Sequence, residues 1–178
     1  ALVATPDSQF AQPRQLVEEF MSITDGQVMV DSFSPERGWS ISVKDSVSRI
    51  GSPGAAGPLK SLDMLQLRLD VMQADDMAAY GHAGDEKSKM GRRSAAIRGL
   101  LRQTPGDAAP LSAQTLGLFA LQRGFLSEAA SEDDAAAMVA AAVARAGRDM
   151  PEVMQELDQN PSKPLSDAVA AKLRELFA

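Results

Sequence analysis

The feature that most limits what this chain can fold into is a change of hydrophobic period near residue 58. Before it, apolar residues come in short runs or alternate with polar ones. Ala1 to Ala4 is apolar and closed by Pro6, "QVMV" at 27 to 30 follows the turn signal Asp25-Gly26, and Trp39, Ile41 and Val43 alternate with Ser40, Ser42 and Lys44. A period of two is that of a strand with one face buried. Three short strands bury too little to form a stable sheet by themselves, so they are expected to pair with neighbours outside this chain. From Arg49 the sequence runs into "RIGSPGAAGPLKS", whose Gly51, Gly54, Gly57 and two prolines predict a linker.

After the linker the apolar spacing becomes three and four. Leu62, Leu65, Leu69 and Met72 predict one face of a helix from about Ser61 to Tyr80, with Ser61 as N-cap. Met90, Ile97, Leu100 and Leu101 mark a second helix that stops before Pro105-Gly106. Ser112 is the expected cap of a third, in which Leu116, Phe119 and Ala120 face inward and Gly124 ends the last turn. Ser131 and Asp134 form a capping-box pattern that opens an Ala-rich helix ending at Gly147. Pro151 suits the first turn of a short helix carrying Val153, Met154 and Leu157, and Leu165, Val169, Leu173 and Leu176 give the last helix its stripe. The expected fold is therefore α+β. Short strands in residues 1–58 complete the edge of an α/β domain supplied by another chain, and residues 59–178 form an all-α bundle of about six helices.

Several kinds of chemistry are disfavoured. A net charge of −6 and a pI near 4.8 provide no cationic field for a nucleic-acid backbone. The absence of cysteine removes disulfides and thiolate metal sites. The longest apolar stretch, "AAAMVAAAVA" at 135 to 144, is half the ~20 residues that a bilayer requires. The single histidine, His82, has no partner spaced for a metal or a triad, and no metal site is expected. Asp75-Asp76 and Asp133-Asp134 are adjacent in sequence, so on a helix they diverge and read as solvated faces. No GxxxxGK[ST] phosphate loop occurs. The glycine series does not open a helix as a dinucleotide fingerprint must. An opening on Ala1-Leu2-Val3, with no polar lead-in, is expected of a processed chain or of a cut through a larger unit.

Three longer strings stand in a telling order: "SITDGQVMVD" at 22 to 31, "SVSRIGS" at 46 to 52 and "APLSAQTLGLFALQRGFL" at 109 to 126. Together they resemble the C-terminal third of the α subunit of F-type ATP synthases, and the resemblance extends by pattern over essentially the whole chain. It implies one piece of a split α subunit within a head of alternating α and β subunits. The partners implied are an N-terminal α fragment bearing the phosphate loop, the β subunits, the central stalk γ subunit and the peripheral stalk. Nucleic acid and a direct membrane span are not implied.

The resemblance also assigns residues. The arginine of "SVSR", here Arg49, would reach the terminal phosphate of the nucleotide bound on β, with Ser48 supporting it. ATP or ADP with Mg2+ would be the cofactor, the Mg2+ ligands lying on other chains. At the non-catalytic α site the family's Arg-Pro pair beside the adenine is replaced by Gly38-Trp39, with Arg37 one place off, and one glutamine of a pair survives as Gln103. Gln103, Arg37 and Trp39 are thus the candidate contacts of a site expected to hold nucleotide weakly. The implied location is the matrix face of the mitochondrial inner membrane, or alternatively the cytoplasmic face of a bacterial plasma membrane. A second reading stays open, in which the chain is a non-catalytic structural or adaptor subunit of such a complex.

Overall fold

The computed structural model describes residues 18–34, 38–79, 89–101, 106 and 108–177. The architecture is α+β: one antiparallel hairpin leads into a helical bundle. A helical segment over residues 18–23 (α1) precedes β1 (Gly26–Ser34) and β2 (Gly38–Ser48). A 3-10 turn at Ser52–Gly54 and the short α2 (Gly57–Lys60) then lead to α3 (Met64–Ala79), α4 (Lys89–Leu101), α5 (Leu111–Arg123), α6 (Glu132–Asp149), α7 (Pro151–Gln159) and α8 (Asp167–Glu175). The expected strand at residues 1–4 and the neighbourhood of His82 lie outside the described residues.

The hairpin is bulged. Gln27 pairs with Val47 but Met29 pairs with Ser42, so β2 carries extra residues between those rungs. Side chains close the bulge: the Ser42 hydroxyl donates to Asp45 (2.7 Å) and accepts the Asp45 N–H, while the Ser46 hydroxyl accepts the Met29 N–H at 2.9 Å. The bulge interrupts the simple alternation expected after Trp39, leaving Ile41 exposed and Val43 half-buried. Val28, Val30 and Ile41 share one exposed face, Val30 standing directly opposite Ile41.

The helical bundle forms around α5, where Leu116, Phe119 and Ala120 are buried as their spacing predicts. Gly124 ends α5 in the left-handed conformation at φ 78°, its N–H returning to Ala120 and Leu121. The Ser131 hydroxyl accepts the Asp134 N–H at the start of α6, and Pro151 occupies the first turn of α7. α6 runs through Gly147 to Asp149, past the expected stop, because an isolated glycine in a long helix costs less than the helix's packing gains. Phe125 stacks on Phe177 with centroids 4.9 Å apart and tilts against Phe119 at 6.4 Å, which pins the end of α8 to the core.

Two expected caps are corrected. Ser112 lies inside α5 rather than at its cap, and its N–H and hydroxyl both donate to the Asp158 carboxylate of α7, at 2.8 and 2.9 Å. A carboxylate at a helix N-terminus satisfies orphan donors and meets the positive end of the dipole, so α7 supplies the cap in trans. At α3 the cap is Asp63, whose carboxylate accepts the Gln66 N–H at 2.9 Å. Ser61 instead accepts the Leu165 N–H, 104 residues away.

The apolar face expected for α3 is rotated. Leu62 is buried as expected but precedes the helix; within α3, Leu65 and Leu69 are 69% and 50% exposed, while Leu67 is buried and Met64 and Val71 pack on the core. Both sets recur at spacings of three and four, so periodicity alone cannot choose between them. The choice falls to Asp70, buried on the inward side. Its carboxylate pairs with Arg93 of α4 and accepts from the Gln66 amide at 3.0 Å, and Arg93 also donates to the Leu121 carbonyl at the end of α5. Arg68 on the same helix donates to the Ser46 carbonyl at 3.0 Å, tying the hairpin to the bundle.

The far end of the expected linker is packed rather than free. Gly57 and Pro58 are buried, and the Gly57 N–H donates to the Pro161 carbonyl at 2.6 Å. A Cβ on Gly57 would lie 2.3 Å from the Lys163 carbonyl oxygen, so only glycine admits this approach. Gly57→Ala is therefore expected to destabilise the bundle by about 1–3 kcal/mol. Gly147→Ala, on an exposed helix surface with nothing within 4 Å of the new methyl, should be neutral or gain up to about 1 kcal/mol. Urea unfolding followed at 222 nm checks the pair, and equal midpoints for both variants would contradict the packing. Amides of β1 and β2 should also exchange orders of magnitude faster than those of α5 and α6, since the hairpin has an exposed apolar face and little core of its own. Hydrogen-exchange mass spectrometry reads this directly.

Candidate functional site

The candidate site is the seam where β2 ends beside the start of β1. Gly26 pairs with Ser48 there, and a Cβ on Gly26 would meet the Val47 carbonyl at 2.5 Å, so the glycine lets the strands close. The Arg49 N–H donates to the Asp25 carbonyl at 2.8 Å, which fixes the arginine's backbone at the end of the ladder. Beyond it, Gly51 takes the left-handed conformation at φ 63° and its N–H donates to the Ser48 hydroxyl at 3.0 Å. Ser48 thus shapes the turn that carries Arg49.

The Arg49 side chain turns back toward α1. Its Nη1 donates to the Ser22 carbonyl at 2.5 Å and its Nη2 to the Met21 carbonyl at 2.7 Å. These are carbonyls of the last turn of α1, which carry the helix's partial negative charge. The Ser22 hydroxyl closes the same turn by donating to the Glu19 carbonyl at 2.6 Å. Arg49 remains exposed, and both of these acceptors are neutral groups. Its planar fork is the geometry that binds two oxygens of a phosphate.

Of the other candidates, Trp39 lies in β2 opposite Phe33, with only its backbone among the described residues. Arg37 and Gln103 lie outside them. The structure therefore brings Ser48 and Arg49 together and leaves the nucleotide contacts unassembled. What the residue-by-residue reading missed is α1, which supplies the partners of Arg49. Its signal was present in "QLVEEFMS" at 15 to 22, where apolar residues already recur at helical spacing.

No protein-family profile matches the chain. Curated relatives do. Over 120 residues it is 32% identical to the ATP synthase subunit alpha of Limosilactobacillus reuteri, an alignment covering 64% of this chain and 23% of that protein. Over 114 residues it is 33% identical to the ATP synthase subunit alpha of Frankia casuarinae, covering 61% of this chain and 20% of the relative. The aligned stretch spans less than a quarter of these relatives' length. The similarity is consistent with a C-terminal portion of such a subunit.

Proposed function

We propose that this chain, a relative of ATP synthase α subunits, is one piece of such a subunit within an F-type ATP synthase head, and that Arg49 is its contribution to catalysis. Residues 1–58 would complete a nucleotide-binding domain supplied by another chain, and residues 59–178 would form the helical C-terminal domain. The observation that carries the reading is the position of Arg49, exposed at the end of a hairpin whose apolar face, Val28, Val30 and Ile41, is left uncovered by the described residues. An uncovered apolar sheet face is where another chain docks. An exposed arginine at the end of the same hairpin would then lie within reach of the docked chain.

In this role Arg49 acts in trans on ATP or ADP bound with Mg2+ by a neighbouring β subunit. Its charge is permanent, and its fork can donate to two phosphate oxygens while negative charge spreads over the transferring group. Ser48 acts by holding the turn, not by touching the phosphate. The helical domain would face the rotating γ stalk, and the whole would sit on the matrix side of the mitochondrial inner membrane or the cytoplasmic side of a bacterial one. Among the described residues no helix is long and apolar enough to cross a membrane. The non-catalytic nucleotide site, with Gly38-Trp39 and a single Gln103, would hold adenine nucleotide weakly.

The second reading, a structural adaptor of the same complex, is favoured by one observation: Arg49 already has partners within the chain. The two readings differ in magnitude. An arginine finger is worth about 10³–10⁵ in rate, whereas an exposed arginine bound to its own chain is worth about 1 kcal/mol or less of stability. Arg49→Lys in the assembled complex is expected to leave assembly and tight nucleotide binding intact while multi-site ATP turnover falls at least about a hundredfold. Turnover within about threefold of wild type would establish the adaptor. Mass spectrometry of the same complex should find a partner chain bearing GxxxxGK[ST] in equal stoichiometry.

A further inference from the structure

We infer that the hairpin takes its partner at one edge: the outer edge of β1, over residues 26–30, is a strand-addition site for an edge strand of the chain that completes the nucleotide-binding domain. The identity of that chain rests on the reading above. The difference between the two edges is a property of this chain alone.

Peptide groups alternate along a strand, the N–H and C=O of one residue pointing to one side and those of the next residue to the other. The Met29 N–H points toward β2, where it donates to the Ser46 hydroxyl at 2.9 Å. Val28 and Val30 therefore turn their N–H and C=O groups outward, and among the described residues the only strand beside β1 is β2. Both valines are also exposed, on the face they share with Ile41. One short run thus offers backbone donors and acceptors together with apolar side chains, the combination that takes up another strand. Water can satisfy the peptide groups in the free chain, but it does nothing for the valines.

β2 is guarded where β1 is not. Its extra residues between the rungs at Ser42 and Val47 break the line of its backbone, the Ser46 carbonyl is already taken by Arg68 of α3, and Lys44 stands in the bulge 3.6 Å from Asp76. A bulge, a lysine and a covering helix are devices that keep an edge from pairing. Residues 26–30, "GQVMV", contain no charge and no proline. The irregularity of β1 comes later, between Val30 and Phe33, and sets the far limit of the site. The occupant is accordingly an extended segment of about five residues, with apolar side chains on the face that continues Val28 and Val30.

Hydrogen exchange resolved to single amides tests this in the full chain and in the assembled complex. Val30 and Ile41 stand directly opposite each other, so with Val30 turned outward from β1 the Ile41 N–H points outward from β2 and reports the other edge. In the free chain the amides of Val28 and Val30 are expected to exchange almost without protection. Slow exchange there would mean that the chain's own residues or a second copy already fill the edge, and overturns the inference. In the complex both amides should slow at least about tenfold more than that of Ile41. As a second readout, Val28→Pro removes an outward N–H and should weaken incorporation of the chain at least about tenfold, whereas Ile41→Pro removes one from the other edge and should stay within about twofold. Protection of Ile41 without protection of the valines overturns the site, and so does wild-type incorporation of Val28→Pro. A complex that holds a phosphate-loop chain while Val28 and Val30 exchange as in the free chain refutes the edge alone. A complex without such a chain refutes the reading above and this occupant with it.

Discussion

The pairing of Arg93 with the buried Asp70 carboxylate is the contact on which the arrangement of the rest depends. It fixes the rotation of α3 about its own axis, because a carboxylate taken out of water must face its cation. With that rotation set, Leu67 turns inward and Leu65 and Leu69 turn out. The same rotation aims Arg68 at the Ser46 carbonyl, so the bulge of β2 is anchored to the bundle through one hydrogen bond. Arg93 reaches further, to the end of α5, and thereby gathers three helices around one guanidinium. Lys44 and Asp76, 3.6 Å apart and both exposed, add little to this tie.

Elsewhere the bundle is held by small residues at close crossings. A Cβ on Gly99 would lie 2.2 Å from the Glu132 carbonyl, and one on Gly117 would lie 2.4 Å from the Leu100 side chain. Ala96, Ala135, Ala142 and Ala146 are buried in the same layer. Backbones that approach this closely gain dispersion contacts that larger side chains would forfeit by clashing. Arg98 then spans the α4–α6 crossing to Glu132 at 2.6 Å, placing a charged pair at the margin of a nearly pure Ala/Gly contact. The C-terminal segment is locked at both ends, by Ser61 on Leu165 and by Arg145 on the Leu176 carbonyl.

The hairpin stands in contrast to this. It is joined to the bundle on one side and presents Val28, Val30 and Ile41 on the other, with Ile23 and Ile50 exposed near Arg49. Apolar area of this kind is stable in water only at a cost, and the proposed function gives it a purpose as the docking face of a larger nucleotide-binding domain. Arg49 follows the last residue of β2, at the open end of the same hairpin. Its present partners are two neutral backbone carbonyls at the end of α1.

The existence and order of the helices were legible in the sequence, because spacing at three and four, capping serines and terminal glycines are local signals. Leu116, Phe119, Gly124, Ser131 and Pro151 all act as their local context dictates. The change of period was legible too, since both strands end by Ser48 and the run of helices from α2 onward begins at Gly57. The helix face of α3 was not legible, since 65, 69 and 72 compete with 64, 67 and 71, and only a charge 23 residues away decides between them. The caps of α5 and α3 were misplaced because Asp158 acts across 46 residues and Asp63 displaced a neighbouring serine. Gly57 looked like linker because the carbonyls that require it lie more than a hundred residues downstream. The partners of Arg49 escaped notice for the same reason. Local sequence determined which segments coil or extend, whereas the side each segment buries, and which donor meets which acceptor, depended on groups that only the folded chain brings together.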